Sequence, residues 1–300
     1  MVRPHRFGPN EQTAASNALQ KPTAMSPGEL HERALTEFDA MVGTLRGAGV
    51  NVTVFEDTDE PAKPDAVFPN NWISLHADGR VFLYPLEAVA RRAERRTDIV
   101  ESLSTERGFR VTDIVDLSSL ESRSLFLEST GSMVLDRVNH VAYAALSSRT
   151  HIDALGDFAH RADYEIVAFD ARDTAGAAIY HTNVMMALGS AFAVICADAI
   201  GDRDKRDVIL AKLAADGREV IEISQEQVGC FAGNLLEVEN DSGDPIVVLS
   251  DTALDSLTDA QRERIAGCGR LLPIDVRTIE HVGGGSVRCM LAEVFLPRTR

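Results

Sequence analysis

Basic residues are scarce: 30 Lys and Arg stand against 46 Asp and Glu, a formal charge of −16. So acidic a chain is repelled by phosphate backbones and by anionic lipid, so neither nucleic acid nor a membrane surface is an expected partner. No apolar run approaches the roughly 20 residues of a membrane span. Met1–Asn10 is polar, so no secretory signal is expected either. Cysteine is sparse too: Cys196, Cys230, Cys268 and Cys289 lie far apart, with no CxxC pair and no zinc-like spacing. They read as free thiols of a reducing cytoplasm, which predicts a cytoplasmic protein with no disulfide framework and no bound metal. What remains is an ordinary globular composition, 45 % hydrophobic and 25 % charged, able to bury a sizeable core.

Met1–Phe7 reads as a short strand, followed by a polar loop over Gly8–Ala24 with the character of a lid. A helix start follows: Ser26 as N-cap, Pro27 at the first helical position and Glu29 completing a capping box. Apolar residues from Leu30 to Leu45 recur at helical spacing, Gly47 or Gly49 stops them, and Val50–Phe55 is a strand. From there a strand–strand–helix–strand pattern repeats. Val67–Leu75, Arg80–Tyr84, a charged helix over Ala88–Arg107 and Phe109–Val115 form the first unit. The next three open with Leu125–Leu135, Tyr180–Leu188 and Phe231–Val238, and the fifth with a strand over Val287–Leu296.

The unit starts (Phe68, Phe126, His181, Phe231, Val287) are about 58, 55, 50 and 56 residues apart. A period this regular predicts an α/β fold built from one repeated unit. The fifth unit lacks its helix and last strand, which the amino-terminal segment can supply. The expectation is a single domain over 1–300, a five-bladed pseudo-symmetric α/β propeller. In it 1–60 completes the fifth unit begun by 286–297. A two-domain α/β protein is the competing reading.

In such a ring the first strand of each unit lies nearest the axis, so the residues at its ends share one central pocket. Asn71, Glu128, His181, Asn183 and Cys289 fall at those places. Each is bland alone: free cysteine is usually a small buried hydrophobe, asparagine at a strand start serves turns, and a histidine there is usually structural. Their joint occurrence at corresponding positions makes Cys289 a candidate nucleophile. Asp65, just ahead of the Asn71 strand, is a further candidate for the pocket. An arginine should receive a substrate carboxylate, with Arg123, Arg137 and Arg288 as candidates. Cys196, Cys230 and Cys268 read as structural; His76, His140 and His281 carry no assignment.

The order Phe-x-x-Asn, Leu-Glu-Ser-Thr-Gly, His-Thr-Asn and Gly-Gly-Gly-x-x-x-Cys resembles the guanidine-modifying superfamily of pentein fold, which includes arginine deiminases, dimethylarginine hydrolases and amidinotransferases. Met-Val-Arg-Pro, Phe-Pro-Asn-Asn-Trp and His-Thr-Asn-Val-Met-Met bring it nearest to amidinotransferase-like citrulline hydrolases, the ureidases. The resemblance covers nearly the whole chain. It implies Cys289 as nucleophile, His181 as general acid and base, and Glu128 as the carboxylate that orients the histidine. It also implies a cytoplasmic hydrolase of C–N bonds in arginine metabolism, with no cofactor. Ser129 departs from the family pattern, which has glycine after the glutamate, and would be strained if the turn needs a positive φ.

Asn71 and Asn183 match positions where arginine-handling members carry aspartates. A guanidinium offers only donors and a positive charge, which two carboxylates match. A ureido group also has a carbonyl acceptor and no charge, and buried carboxylates would face it unpaired. The asparagines therefore point to a ureido substrate, citrulline, giving ornithine, carbon dioxide and ammonia. An arginine or methylarginine deiminase, an amidinotransferase and a non-catalytic pentein interaction module are the alternatives. The expected partner is a small molecule; a homodimer is left open.

Overall fold

A computed structural model describes residues 1–299. Four times over, the chain makes the same three-stranded sheet: a first strand antiparallel to a second, and the second parallel to a third. Ile73–Leu75, Arg80–Leu83 and Asp113–Asp116 form the first. Val134–Asp136, Val141–Ala145 and Glu165–Phe169 form the second. Met186–Leu188, Phe192–Ile195 and Glu219–Glu222 form the third, and Leu236–Glu239, Pro245–Ser250 and Arg270–Ile274 the fourth. A parallel pair needs a crossover, supplied in each unit by a helix: Thr97–Thr105, Ile152–Ala162, Arg203–Ala215 or Asp259–Ala266. The middle strands are paired on both edges and buried apart from the first residues Arg80 and Pro245, as in the Phe-Ala-Val-Ile of Phe192–Ile195.

The amino-terminal helix runs Pro27–Gly47, opened by the expected capping box of Ser26 and Glu29. Its buried stripe, Leu30, Ala34, Phe38, Met41, Val42 and Leu45, joins Ile246, Val248, Leu272 and Ile279 in one apolar cluster. Truncating the fully buried Phe38 to Ala would cost about 3–5 kcal/mol.

The first strands are shorter than the sequence suggests, for one reason. Their leading residues close local turns before pairing begins. The N–H of Asn71, Gly131, Val184, Asn234 and Cys289 donates to the carbonyl of Phe68, Glu128, His181, Phe231 and Ser286, three residues back, at 3.3, 3.0, 3.4, 2.8 and 2.9 Å. These five turns are also stitched to one another. Thr130 Oγ1 donates to the Asn70 carbonyl (3.2 Å) and Thr182 Oγ1 to that of Ser132 (2.5 Å). Asn234 Nδ2 donates to the Asn183 carbonyl (2.9 Å), and the Arg288 N–H donates to Asn234 Oδ1 (3.1 Å).

Two expectations are corrected. Ala88–Arg107 is not one helix: a 3-10 stretch, Val89–Glu94, breaks before Thr97–Thr105, and its Arg91 and Glu94 point inward. Val287–Leu296 is not a strand. Cys289, Met290 and Leu291 spend their N–H groups on the turn, Arg288 takes the Leu291 carbonyl, and only Val294 bridges to Leu75. Beside it the amino-terminal segment forms a two-stranded parallel pair, Val2–Arg3 with Phe55–Glu56. No helix among the described residues is long and apolar enough to cross a membrane.

Candidate active site

Glu128 opens the second turn and His181 the third. Glu128 is aimed inward by Ser129, which adopts φ 45°, a left-handed conformation that costs a non-glycine residue about 1–2 kcal/mol. Compensation comes from bonds on either side: Ser129 Oγ donates to the Ile73 carbonyl (3.0 Å), and the Glu128 N–H donates to Ser132 Oγ (2.8 Å). His181 Nε2 lies 2.9 Å from Glu128 Oε2.

Both groups are fully buried, and their charges divide unevenly. Burial works to raise the Glu128 carboxyl, but Arg149 at 3.5 Å, the His181 bond and Arg91 at 3.6 Å together hold it far below the usual range. Burial pushes His181 down to about 4 in spite of its carboxylate partner. At neutral pH the pair is a carboxylate accepting from a neutral imidazole. That assigns the ring proton to Nε2 and leaves Nδ1 as a free base. Gly131 makes room for this: a Cβ there would lie 2.9 Å from His181 Nδ1 and 2.4 Å from Asn71 Nδ2.

Cys289 ends the fifth turn, buried. Its sulfur meets two side-chain amides, Asn183 Nδ2 at 3.5 Å and Asn234 Nδ2 at 3.4 Å. The preceding glycines are there for close approach. A Cβ on Gly283 or Gly285 would strike the Phe68 ring at 2.8 or 2.9 Å, and one on Gly284 (φ 65°) would strike Asn17 at 2.5 Å.

Opposite lies a wall of ion pairs. Arg91 grips Glu94 with two bonds (3.0 and 2.8 Å), donates to Asn71 Oδ1 (2.9 Å) and lies 3.5 Å from Asp65. Burial pushes Glu94 up to about 7 against the pull of Arg91, and it raises Asp65 likewise. Arg149 ties this wall to the amino-terminal segment, donating to Ser16 Oγ (2.8 Å) and the Thr13 carbonyl (3.2 Å). Asn10 caps Asp65 (2.8 Å), and Asn17 reaches the Gly283 and Gly284 carbonyls. Asp65, Asn71, Arg91, Arg149, His181 and Cys289 thus surround a small cavity of about 20 Å³, which Thr13 and Asn17 of the amino-terminal segment also line. A larger groove of about 600 Å³ between the amino-terminal strand and Leu291–Leu296 is lined mainly by apolar side chains and holds neither a cysteine nor a histidine.

Of the residues singled out in the sequence, Cys289, His181, Asn71 and Asp65 line the cavity, Glu128 backs His181, and Asn183 touches the sulfur. Two expectations about arginine are corrected. Arg123 ends an exposed 3-10 turn, Ser118–Arg123. Arg288 sits beside Cys289 in sequence, but its guanidinium binds Glu293 (2.9 Å) and the Leu291 carbonyl, away from the cavity. Arg137 lies over the Phe295 ring. The arginines at the cavity are Arg91 and Arg149, which the sequence reading passed over together with Glu94 and Asn234. Among the described residues no group of three His, Cys, Asp or Glu is placed to hold a metal ion.

The chain matches a family described as N,N dimethylarginine dimethylhydrolase, eukaryotic, over residues 3–296. A sequence comparison with curated proteins finds no match. Among solved structures it is similar to apo ArgZ, an arginine dihydrolase from the ornithine–ammonia cycle in cyanobacteria. The TM-score is 0.75 at 18 % identity, covering 99 % of this chain and 40 % of that one. The N-terminal domain of ArgZ, covalently bound to a reaction intermediate, gives 0.74 at 19 %, covering 99 % and 98 %. A dimethylarginine dimethylaminohydrolase carrying an S-methyl-L-thiocitrulline adduct gives 0.62 at 16 %, covering 96 % of each. The chain thus spans about 40 % of full-length ArgZ and nearly all of its N-terminal domain.

Proposed function

The chain belongs to the N,N dimethylarginine dimethylhydrolase family, within the guanidine-modifying superfamily of pentein fold, and we propose that it is a cysteine-dependent hydrolase of the ureido C–N bond of citrulline. One observation carries the reading. The groups around the Cys289 sulfur are neutral amides, Asn183 and Asn234, and the nearby carboxylates are already matched by Arg91 and Arg149. A neutral substrate fits this balance, and Asn183 Oδ1, buried without a partner, is an acceptor waiting for a ureido N–H.

The steps follow from the groups present. Neutral His181 takes the Cys289 proton through Nδ1, with Glu128 stabilising the imidazolium. The thiolate adds to the ureido carbon. His181 returns the proton to the terminal nitrogen, which leaves as ammonia, and an S-carbamoyl adduct remains. His181 then deprotonates water, which attacks the same carbon and expels the sulfur. The resulting carbamate loses carbon dioxide to give ornithine. Arg91 and Arg149 are the cations placed to receive the α-carboxylate, a bidentate match of guanidinium to carboxylate. A 20 Å³ cavity holds about one water, so the segment 8–24 acts as a lid that swings away to admit an amino acid.

We read the five stitched turns as the inner rim of a five-bladed ring, one domain over 1–300, with 1–60 completing the unit begun at 286–297. Catalytic groups at the first and fourth places of different turns then meet at the axis.

Asp65 favours a second reading. It is a buried carboxylate on the cavity wall and could pair with a guanidinium, making arginine or a methylated arginine the substrate. Ammonia and ornithine release separates the two. Citrulline consumed, guanidines ignored and all activity lost in Cys289→Ala supports the ureido reading. Deimination of a guanidine with citrulline untouched overturns it.

A further inference from the structure

We propose that Asn234 stabilises the Cys289 thiolate formed when His181 takes the thiol proton, and that this amide takes the part a cationic substrate would otherwise play. The second clause rests on the ureido reading; the first stands without it.

Asn234 ends the fourth turn, fully buried, and both ends of its amide are committed. Oδ1 accepts the Arg288 N–H at 3.1 Å; Nδ2 donates to the Asn183 carbonyl at 2.9 Å and to Cys289 Sγ at 3.4 Å. A backbone N–H only donates and a backbone carbonyl only accepts, so the orientation of the amide is fixed by its neighbours. Its N–H side must face the sulfur. The thiol proton can also reach Oδ1, at 3.8 Å, a longer contact than the one the amide N–H makes to the sulfur. Asn183 Nδ2 adds a second donor from the other side, at 3.5 Å.

Hydrogen bonds donated to a charged group favour the charged form. His181 does not supply one in this resting site: its ring proton is spent on Glu128, and its free Nδ1 can only accept. A guanidinium entering the cavity brings positive charge to the thiolate, whereas a ureido group brings none. The donors must then belong to the protein. Gly233 keeps this one in reach, since a Cβ there would fall 2.5 Å from the Val184 carbonyl and push the fourth turn off the third.

The test is alkylation of Cys289 by iodoacetamide across pH, without substrate, quantified on the Cys289 peptide. It is run in wild type, Asn234→Ala and Asn234→Asp, each checked by thermal melting and by kcat and KM. Asn234→Asp keeps an acceptor for the Arg288 N–H and replaces the donor with a carboxylate oxygen. Alkylation at pH 7 should slow about tenfold in the Ala variant and more in the Asp variant. Both should recover at higher pH, and kcat should fall with KM little changed. A merely structural residue would lower the melting temperature and leave the pH dependence of alkylation in place; an unmoved profile in folded Asn234→Asp overturns the proposal. Should neither variant fold, Asn183→Leu removes the second donor, together with the amide oxygen, and should slow alkylation in the same direction with no substrate present; no change there also overturns it. A shifted profile in an enzyme that ignores citrulline keeps the thiolate cradle and discards the ureido reading.

Discussion

The two groups of buried polar residues at and behind the cavity, an ionic wall and an amide wall, solve burial in opposite ways. On one side Asp65, Arg91, Glu94, Glu128 and Arg149 are all charged side chains taken out of water, and each finds a partner of opposite sign. On the other side Asn183, Asn234 and Cys289 carry no obligate charge, and not every polar atom there is satisfied: Asn183 Oδ1 has no partner. Buried ions tolerate no vacancy, because an orphaned charge costs several kcal/mol. A buried amide with an unmade bond costs about 1–3 kcal/mol and can recover it from a ligand. The ionic wall is therefore built to stay put and fix the histidine. The amide wall is built to be completed by something that enters.

That contrast predicts the largest single effect outside the nucleophile. Arg149→Met strips Glu128 of the cation 3.5 Å away and releases Thr13 and Ser16 of the segment 8–24. Glu128 then keeps Arg91, 3.6 Å away, as its one cation among the described residues. Because breaking a buried ion pair costs about 3–5 kcal/mol, kcat/KM for citrulline should fall on the order of 10²–10³-fold, with partial return in Arg149→Lys. A loss under threefold would mean that the ionic wall does not hold the catalytic carboxylate.

Gly131→Ala tests the seam between the walls. The new methyl would press on Asn71 Nδ2 and on the His181 ring at once, and displacing a catalytic group by about 1 Å costs up to 10²-fold. We expect kcat to drop ten- to a hundredfold with native far-ultraviolet circular dichroism. Unchanged kcat would show that the ring can retreat without penalty.

The contrast between the walls also explains what could be read in advance. The repeat was legible because each unit carries the same buried middle strand, and the capping box at Ser26 marks its helix without ambiguity. Strand starts were not legible, since an apolar run buried on both faces shows no alternation, and the turn residues were absorbed into it. The amide wall left a partial signal. Asn183 stood out in its motif, but Asn234 did not, although aligning Phe231–Asn234 with Phe68–Asn71 puts it on the position of Asn71. The ionic wall left almost none. Arg91 and Glu94 sit in a stretch so rich in charge that it reads as a solvated helix, and only the three-dimensional fold turns those two inward. Arg288 misled in the other sense: adjacency to Cys289 in sequence placed its backbone at the site and its side chain elsewhere.

A smaller effect is expected where the walls meet at Asn71, whose Oδ1 is bound by Arg91 and whose Nδ2 donates to Asn70 Oδ1. Asn71→Asp should be well tolerated in the fold, because the carboxylate gains Arg91 as a partner. It adds negative charge to the cavity, so citrulline turnover should drop about tenfold while a guanidine substrate gains. Equal losses on both substrates would sever Asn71 from substrate choice.

The smallest effect is a limb of the pH profile that should be missing. An ordinary histidine base would lose activity below pH about 6.5, but burial lowers His181 to about 4, so it stays a free base well below that. Activity per folded molecule should therefore hold as pH falls through 6.5 and drop only near 4. Stability runs differently. A histidine kept neutral in the fold takes up its proton more readily when unfolded, so its contribution is complete above pH about 6.5 and drains away as pH falls toward 4. His76, buried beside Ser74 and lowered to about 3, acts in the same sense from outside the cavity. Glu94, raised to about 7, acts oppositely: its contribution is complete below its unfolded value and fades as pH rises through 7. Urea midpoints measured beside kcat/KM should thus fall between pH 6.5 and 4 while kcat/KM stays level. His76→Gln should flatten the stability curve without moving the activity limb. If kcat/KM instead turns down at 6.5, the base is not the buried His181 of the ionic wall, and the division of labour between the walls is wrong.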